Sequence, residues 1–198
     1  QYAHNHQVLT NNPPNGGYQK FHVLGHENST IATWLQAAGY RTVLLGKYLN
    51  RYPDEDNPTH VPPGWDEWYG TNNFPHFFNY RIIENGRSVK YGSRPQDYET
   101  DVLSRKANDF IKRAAGNGAP FFMYLAPYAP HQPAIPAPRH QREFENISLP
   151  RPPSFNEADV RDKPKWISQQ VQLSASEIAE LEVLYRKRLQ SLLAVDEM

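Results

Sequence analysis

The sequence predicts an α/β fold: a mostly parallel sheet flanked by helices, present here only in part. Three observations predict it. A helical pattern through Ile31, Trp34, Leu35 and Ala38 closes on Gly39 and runs at once into Thr42-Val43-Leu44-Leu45. A second helical pattern, from Tyr98 to Ala115, is stopped by Gly116-Asn117-Gly118 and leads into Phe121-Phe122-Met123-Tyr124-Leu125-Ala126. Neither apolar run alternates with polar residues, which suits strands buried on both faces, and a helix before each argues for parallel strands.

In chain order, residues 1–27 are polar and read as loop, with Asn11-Asn12-Pro13-Pro14-Asn15-Gly16-Gly17 as a strong breaker. The first helix starts near Ser29 or Thr30, and Gly39 ends it because glycine tolerates the left-handed conformation. Residues 51–78, rich in proline, asparagine, glycine and aromatics, read as one long ordered loop. Asn85-Gly86 between Tyr80-Arg81-Ile82-Ile83-Glu84 and Arg87-Ser88-Val89-Lys90-Tyr91 predicts a hairpin, since both central residues need positive φ. The second helix carries Val102, Leu103, Ala107, Phe110 and Ile111 on one face. Residues 127–165 hold many prolines and little pattern, apart from a short helix expected over 139–145. Ser174-Ala175-Ser176-Glu177 matches a capping box. A long helix follows, striped by Ile178, Leu181, Leu184, Tyr185, Leu189, Leu192 and Leu193. No internal repeat is visible.

Composition narrows the function. The 198 residues balance 21 basic against 21 acidic side chains, so no net field favours nucleic acid. There is no apolar run of ~18 residues to span a membrane. The absence of cysteine excludes a disulfide scaffold and a thiolate metal site. The opening Gln1-Tyr2-Ala3-His4-Asn5-His6 looks internal to a protein, and the final Leu192-Leu193-Ala194-Val195-Asp196-Glu197-Met198 stops inside a helical pattern, so both ends look cut.

Ligands of α/β sheets sit beyond the carboxyl ends of the strands. Gly46-Lys47-Tyr48-Leu49-Asn50 follows the first strand and Pro127-Tyr128-Ala129-Pro130-His131-Gln132-Pro133 the second. If the strands are parallel, Lys47 and His131 leave from the same rim. A lysine there offers a compact positive charge to an anionic oxygen. A histidine there can donate to that anion or act as a general acid, and flanking prolines would stiffen its loop. Taken alone, a lysine after a strand is more often simply solvated, and a lone loop histidine more often structural or exposed.

The order of blocks says more. Thr33-Trp34-Leu35-Gln36-Ala37-Ala38-Gly39-Tyr40-Arg41-Thr42 running into Leu45-Gly46-Lys47-Tyr48-Leu49-Asn50 resembles the signature of the sulfatase family, within the alkaline-phosphatase-like superfamily. Ala129-Pro130-His131-Gln132-Pro133 resembles its second block. Tyr185-Arg186-Lys187-Arg188, with Val195-Asp196-Glu197, resembles the helix after it. Gly-Lys-Tyr-Leu-Asn and His60-Val61-Pro62-Pro63-Gly64-Trp65-Asp66-Glu67-Trp68-Tyr69 are similar to the N-acetylglucosamine-6-sulfatase and heparan endosulfatase branch, as are Phe78-Asn79-Tyr80 and Tyr98-Glu99-Thr100-Asp101-Val102-Leu103.

The resemblance implies a sulfuric ester hydrolase removing a 6-O-sulfate from N-acetylglucosamine of a glycan. It gives Lys47 and His131 as catalytic and sulfate-binding, with Asn50 beside them where many relatives carry histidine. An amide can hydrogen-bond but cannot accept that histidine's proton, so the role at position 50 changes. His4 and His6 fall near the pocket by resemblance, as polar packing of its rim. Trp65 and Trp68 are expected to anchor loops rather than floor a sugar site, and Asp101 and Asp196 to be structural. The resemblance also implies a calcium ion, which wants about six oxygen ligands. Its ligands, and the formylglycine nucleophile of a Cys/Ser-x-Pro-x-Arg motif, are expected outside residues 1–198, so no metal ligand is assigned here. Family members are lysosomal, secreted, cell-surface or periplasmic, and the sequence does not choose among them. A phosphate or phosphonate ester hydrolase of the same superfamily, or a non-catalytic carbohydrate-binding relative, fits the same blocks less well. An unpaired sheet edge, with pairing to a second copy or another chain, is expected of such a partial domain. The 198-residue polypeptide by itself should not turn over an aryl sulfate, and measurable turnover by the purified chain would overturn this expectation.

Overall fold

The computed structural model describes residues 2–72, 76–116 and 118–198. It divides into two compact units: residues up to Tyr128 with Met198, and Ala129–Glu197.

The first unit opens with a short helix, α1 (Ala3–His6), and a second, α2 (Gly17–Val23). Residues 1–27 are therefore more than loop. The polar composition hid α2, which buries Tyr18 after the Asn-Pro-Gly breaker. Helix α3 (Ile31–Ala37) is capped by Thr30, whose hydroxyl accepts from the Thr33 N–H while Thr33 reciprocates. It ends as expected on Gly39 at φ +87°. Ile31 and Trp34 of this helix are more than half exposed.

Strand β1 (Arg41–Gly46) then enters the middle of a five-stranded sheet ordered β4-β3-β2-β1-β5. Here the long-loop reading of 51–78 fails. β2 (Glu67–Thr71) lies inside it, parallel to β1, with Val43 opposite Glu67 and Gly46 opposite Gly70. The flanking prolines and glycines masked it. Its start is fixed by Asp66, whose carboxylate accepts from the Thr42 N–H while the Thr42 hydroxyl donates to Gly64 O. Gly70 leaves room for the Trp68 indole: a Cβ there would lie 2.5 Å from the ring nitrogen.

The hairpin β3 (Arg81–Glu84) and β4 (Arg87–Lys90) extends the sheet antiparallel from β2. Asn85 and Gly86 take φ of 47° and 85°, as the turn demands. The Asn85 side chain also accepts from the Trp68 N–H, tying turn to neighbouring strand. Helix α4 (Glu99–Ala115) follows, and Asn117 of its expected stop lies outside the described residues. β5 (Phe121–Ala126) returns parallel to β1 on the other side, Arg41 opposite Phe121 and Gly46 opposite Ala126. β5 was expected to be buried. It is instead an edge strand, with Phe121 and Tyr124 exposed.

β1 is buried on both faces, as its unalternating apolar run requires. Val43 and Leu45 pack with Ile82 against Val102, Leu103, Ala107 and Phe110 of α4. Ile111, expected on that face, is 40% exposed. Leu44 faces the other way, into an aromatic cluster with Tyr18, Tyr52 and Trp68. Trp65 and Trp68 belong to this packing, Trp65 stacking on Phe122, so both anchor chain. Full burial of each Leu or Val contributes roughly 1.5–3 kcal/mol.

The second unit is irregular up to a single-turn helix, α5 (Lys165–Ser168), and the long α6 (Ala175–Asp196). The helix expected over 139–145 shrinks to a 3-10 turn at Pro138–His140 followed by turns. α6 begins with the expected capping box: Ser174 N–H donates to the Glu177 carboxylate and Glu177 N–H to the Ser174 hydroxyl. Its buried Gln190 donates to the carbonyls of Gln141 and Glu143 and so fixes the preceding loop.

Glu99, the first residue of α4, is fully buried. Burial pushes its pKa up to about 8, against a partial offset from the Tyr128 N–H that it accepts. The folded state therefore binds a proton that the unfolded chain, with a carboxyl near 4.5, releases. Stability should fall as pH rises from about 4.5 to about 8. Urea midpoints measured across that window should flatten in Glu99→Gln; an unchanged slope would remove Glu99 as its source.

Candidate active site

The site begins with a backbone constraint. Gly46 ends β1 at φ +101°, and a Cβ there would sit 2.2 Å from the carbonyl oxygen of Ala126. Only glycine lets the ends of β1 and β5 approach this closely. The Lys47 N–H then donates to the same Ala126 carbonyl at 2.8 Å. With Gly46 and Ala126 in parallel register, Lys47 and Pro127 leave the sheet from one carboxyl-end rim.

Lys47 is half-buried. Its ammonium donates to the Asn50 amide oxygen at 2.6 Å and lies 5.8 Å from the centre of the Tyr128 ring. Burial holds its pKa below the ordinary value. Among the described residues no carboxylate pairs with it. Asn50 therefore orients the ammonium without neutralising it, which leaves positive charge for an external anion. Asn50 is itself fixed, because its carbonyl accepts from the Tyr18 N–H at 2.7 Å.

Lys47 and Asn50 line a cleft of about 800 Å³ together with His6, Phe21, His26 and Trp34. His26 Nε2 donates to the His6 carbonyl at 2.7 Å, joining the two segments. His6 thus lines the cleft, whereas His4 stacks on Tyr2 and is not among the lining residues. Phe21, His26 and Trp34 line the cleft and were not singled out from the sequence. For α2 the available signal was Tyr18, Phe21 and His22 at helical spacing, directly after Gly16-Gly17.

His131 lies in the second unit, three residues beyond Tyr128, and its side chain is exposed. Its Nδ1 sits 2.6 Å from the Gln132 carbonyl and must donate to it, which leaves Nε2 available. The His131 carbonyl accepts from the Ala134 N–H at 2.7 Å, closing a turn that holds the ring's backbone. Asp101 lies in the first turn of α4, where a carboxylate suits the helix dipole, and Asp196 ends α6.

A calcium ion does not fit the donors at hand. Among the described residues, the group of three metal-binding side chains is His22, Glu27 and His60, two nitrogens to one carboxylate. Calcium takes six or more oxygens.

Three comparisons bear on this arrangement. The family model described as Sulfatase matches residues 1–198. A Caenorhabditis elegans protein named as a homolog of extracellular sulfatase Sulf-1 is 40% identical over 200 residues, covering 99% of this chain and 27% of that protein. The human N-acetylglucosamine-6-sulfatase is 36% identical over 204 residues, covering 100% of this chain and 36% of that protein. The chain thus spans about a third or less of the length of these relatives. A solved structure of a protein in complex with its substrate D-glucosamine-2-N,6-O-disulfate superposes with a TM-score of 0.56 at 21% identity, covering 85% of this chain and 44% of the other. That likeness supports the fold.

Gly46→Ala should destabilise the chain by at least ~1–3 kcal/mol, from backbone strain with a clash added. Lys47→Met should leave stability unchanged or raised, because it removes a partly desolvated cation that no carboxylate compensates. Urea unfolding of both variants checks the contrast, and a strongly destabilising Lys47→Met would contradict it.

Proposed function

Because this chain belongs to the sulfatase family, we propose that the protein is a sulfuric ester hydrolase whose substrate is a 6-O-sulfate of N-acetylglucosamine in a glycan or glycosaminoglycan. The observation that carries the reading is the Lys47 ammonium, aimed by a neutral amide and left uncompensated at the carboxyl end of parallel strands. An ammonium so placed suits an oxygen-rich monoanion. The relative named N-acetylglucosamine-6-sulfatase supports the sugar and the position of the ester, and the Sulf-1 homolog supports a sulfatase.

In this reading Lys47 holds a sulfate oxygen. The family resemblance gives His131 its own role: it binds sulfate and, through Nε2, gives a proton to the sugar oxygen as the sulfur–oxygen bond breaks. Asn50 keeps Lys47 extended. Fixed charges of this kind, aimed at developing negative charge, commonly supply the largest catalytic contribution. Sulfatases are generally calcium-dependent. We place the calcium ligands and the nucleophile outside residues 1–198, so no step is assigned to them. No helix among the described residues is long and apolar enough to cross a membrane. The open side of β5 offers a pairing surface to another strand, from a second copy or another chain.

The test is turnover of 6-sulfated N-acetylglucosamine by the whole protein. Lys47→Ala and His131→Ala should each lower kcat/KM by ~100-fold or more. Asn50→Ala should cost less, because the charge stays. Full activity in both of the first two variants would refute the assignment, and faster turnover of a matched phosphate ester would refute the substrate class.

A further inference from the structure

Among residues that do not line the cleft, three side chains from three segments converge on one point. His22 comes from α2, Glu27 from the 3-10 turn His26–Asn28, and His60 from the loop before β2. Their donor atoms all lie within 4.8 Å of one another. His60 Nε2 is 3.2 and 3.3 Å from the two Glu27 oxygens, and His22 Nδ1 is 2.5 Å from Oε2. The two imidazole rings meet edge to face at 5.2 Å.

We propose that His22, Glu27 and His60 form a binding site for a zinc-class divalent transition metal. Two imidazole nitrogens and one carboxylate are donors that suit such ions and disfavour calcium or magnesium. Ligand bonds of about 2.0–2.1 Å in a tetrahedron place neighbouring donors about 3.4 Å apart. The His60–Glu27 separations already match that edge, and the His22–Glu27 pair opens by under about 1 Å to meet it. Glu27 is almost fully buried while His22 is 45% exposed, which leaves an entry path and an open fourth position for water.

Outer contacts hold the donors as metal sites require. The Tyr18 hydroxyl donates to Glu27 Oε1 at 3.0 Å and leaves Oε2 for the ion. The Asn57 amide sits 3.5 Å from His60 Nδ1; with its oxygen turned to the ring it accepts from Nδ1–H, freeing the Nε2 lone pair. The Tyr52 hydroxyl donates to the His60 carbonyl and fixes that residue's backbone. An ordinary buried ion pair needs one histidine, whereas this carboxylate is met by two rings from separate segments.

The inference stands apart from the sulfatase reading, and its test does not measure turnover. The metal-free chain is titrated with Zn²⁺ in competition with a chromophoric chelator, and separately with Co²⁺ to read d–d absorption. One equivalent of each should bind, with the visible bands of a four-coordinate site. His22→Ala and His60→Ala should weaken zinc binding by ~100-fold or more, and Tyr18→Phe by ~10-fold. Zinc at 100 times its Kd should raise Tm by at least ~4 °C in the parent chain and not in His22→Ala, whose half-exposed side chain can be removed without opening the core. No binding at micromolar metal would overturn the proposal. So would binding that survives both histidine substitutions, or Tyr18→Phe affinity equal to the parent's.

Discussion

The close approach of two backbones at Gly46 and Ala126 governs this chain. A parallel pair has no turn to set its register, so something else must. Here a residue without a Cβ lets one strand end within hydrogen-bonding reach of the other's last carbonyl, and Lys47 N–H takes that carbonyl at once. The register, the rim from which both loops depart and the position of Lys47 follow from that one contact. The buried faces of β1 keep it in place, with α4 against Val43 and Leu45 and the aromatic cluster against Leu44.

The elements most legible in the sequence were those whose signals are local. Gly39, Asn85-Gly86 and Ser174 through Glu177 each carry a backbone or capping requirement within four residues, and each does what it specifies. β2 was illegible because its reason is remote: Glu67-Trp68-Tyr69-Gly70-Thr71 becomes a strand through Thr42, Asp66 and Asn85, none within the segment itself. β5 misled for a related cause. An apolar run reports what a strand could bury, and neighbours decide what it does bury. Lys47 and Asn50 were expected together at one rim, and the structure joins them by a hydrogen bond. Phe21, His26 and Trp34, which line the same cleft, were not singled out, because half-buried or exposed rings carry no residue type or charge that separates a cleft wall from ordinary surface.

The two polar constellations show opposite electrostatic designs in one unit. Lys47 is held by a neutral oxygen and keeps its charge unspent, which costs stability. Glu27 takes a hydrogen bond from a tyrosine hydroxyl and is met by two imidazole rings. Tyr18 touches both: its N–H holds Asn50 and its hydroxyl holds Glu27. The residue that best explains how the cleft loop is supported is thus one that the polar sequence around it concealed.

The exposed flank of β5 makes the layer extensible. Its outward N–H and C=O groups form a template whose spacing the rest of the sheet already dictates, so a sixth member added there would take its register from the five present. Accretion at that border would lengthen the rim on which Lys47 and Pro127 sit, making room for further groups at the same height above the strands.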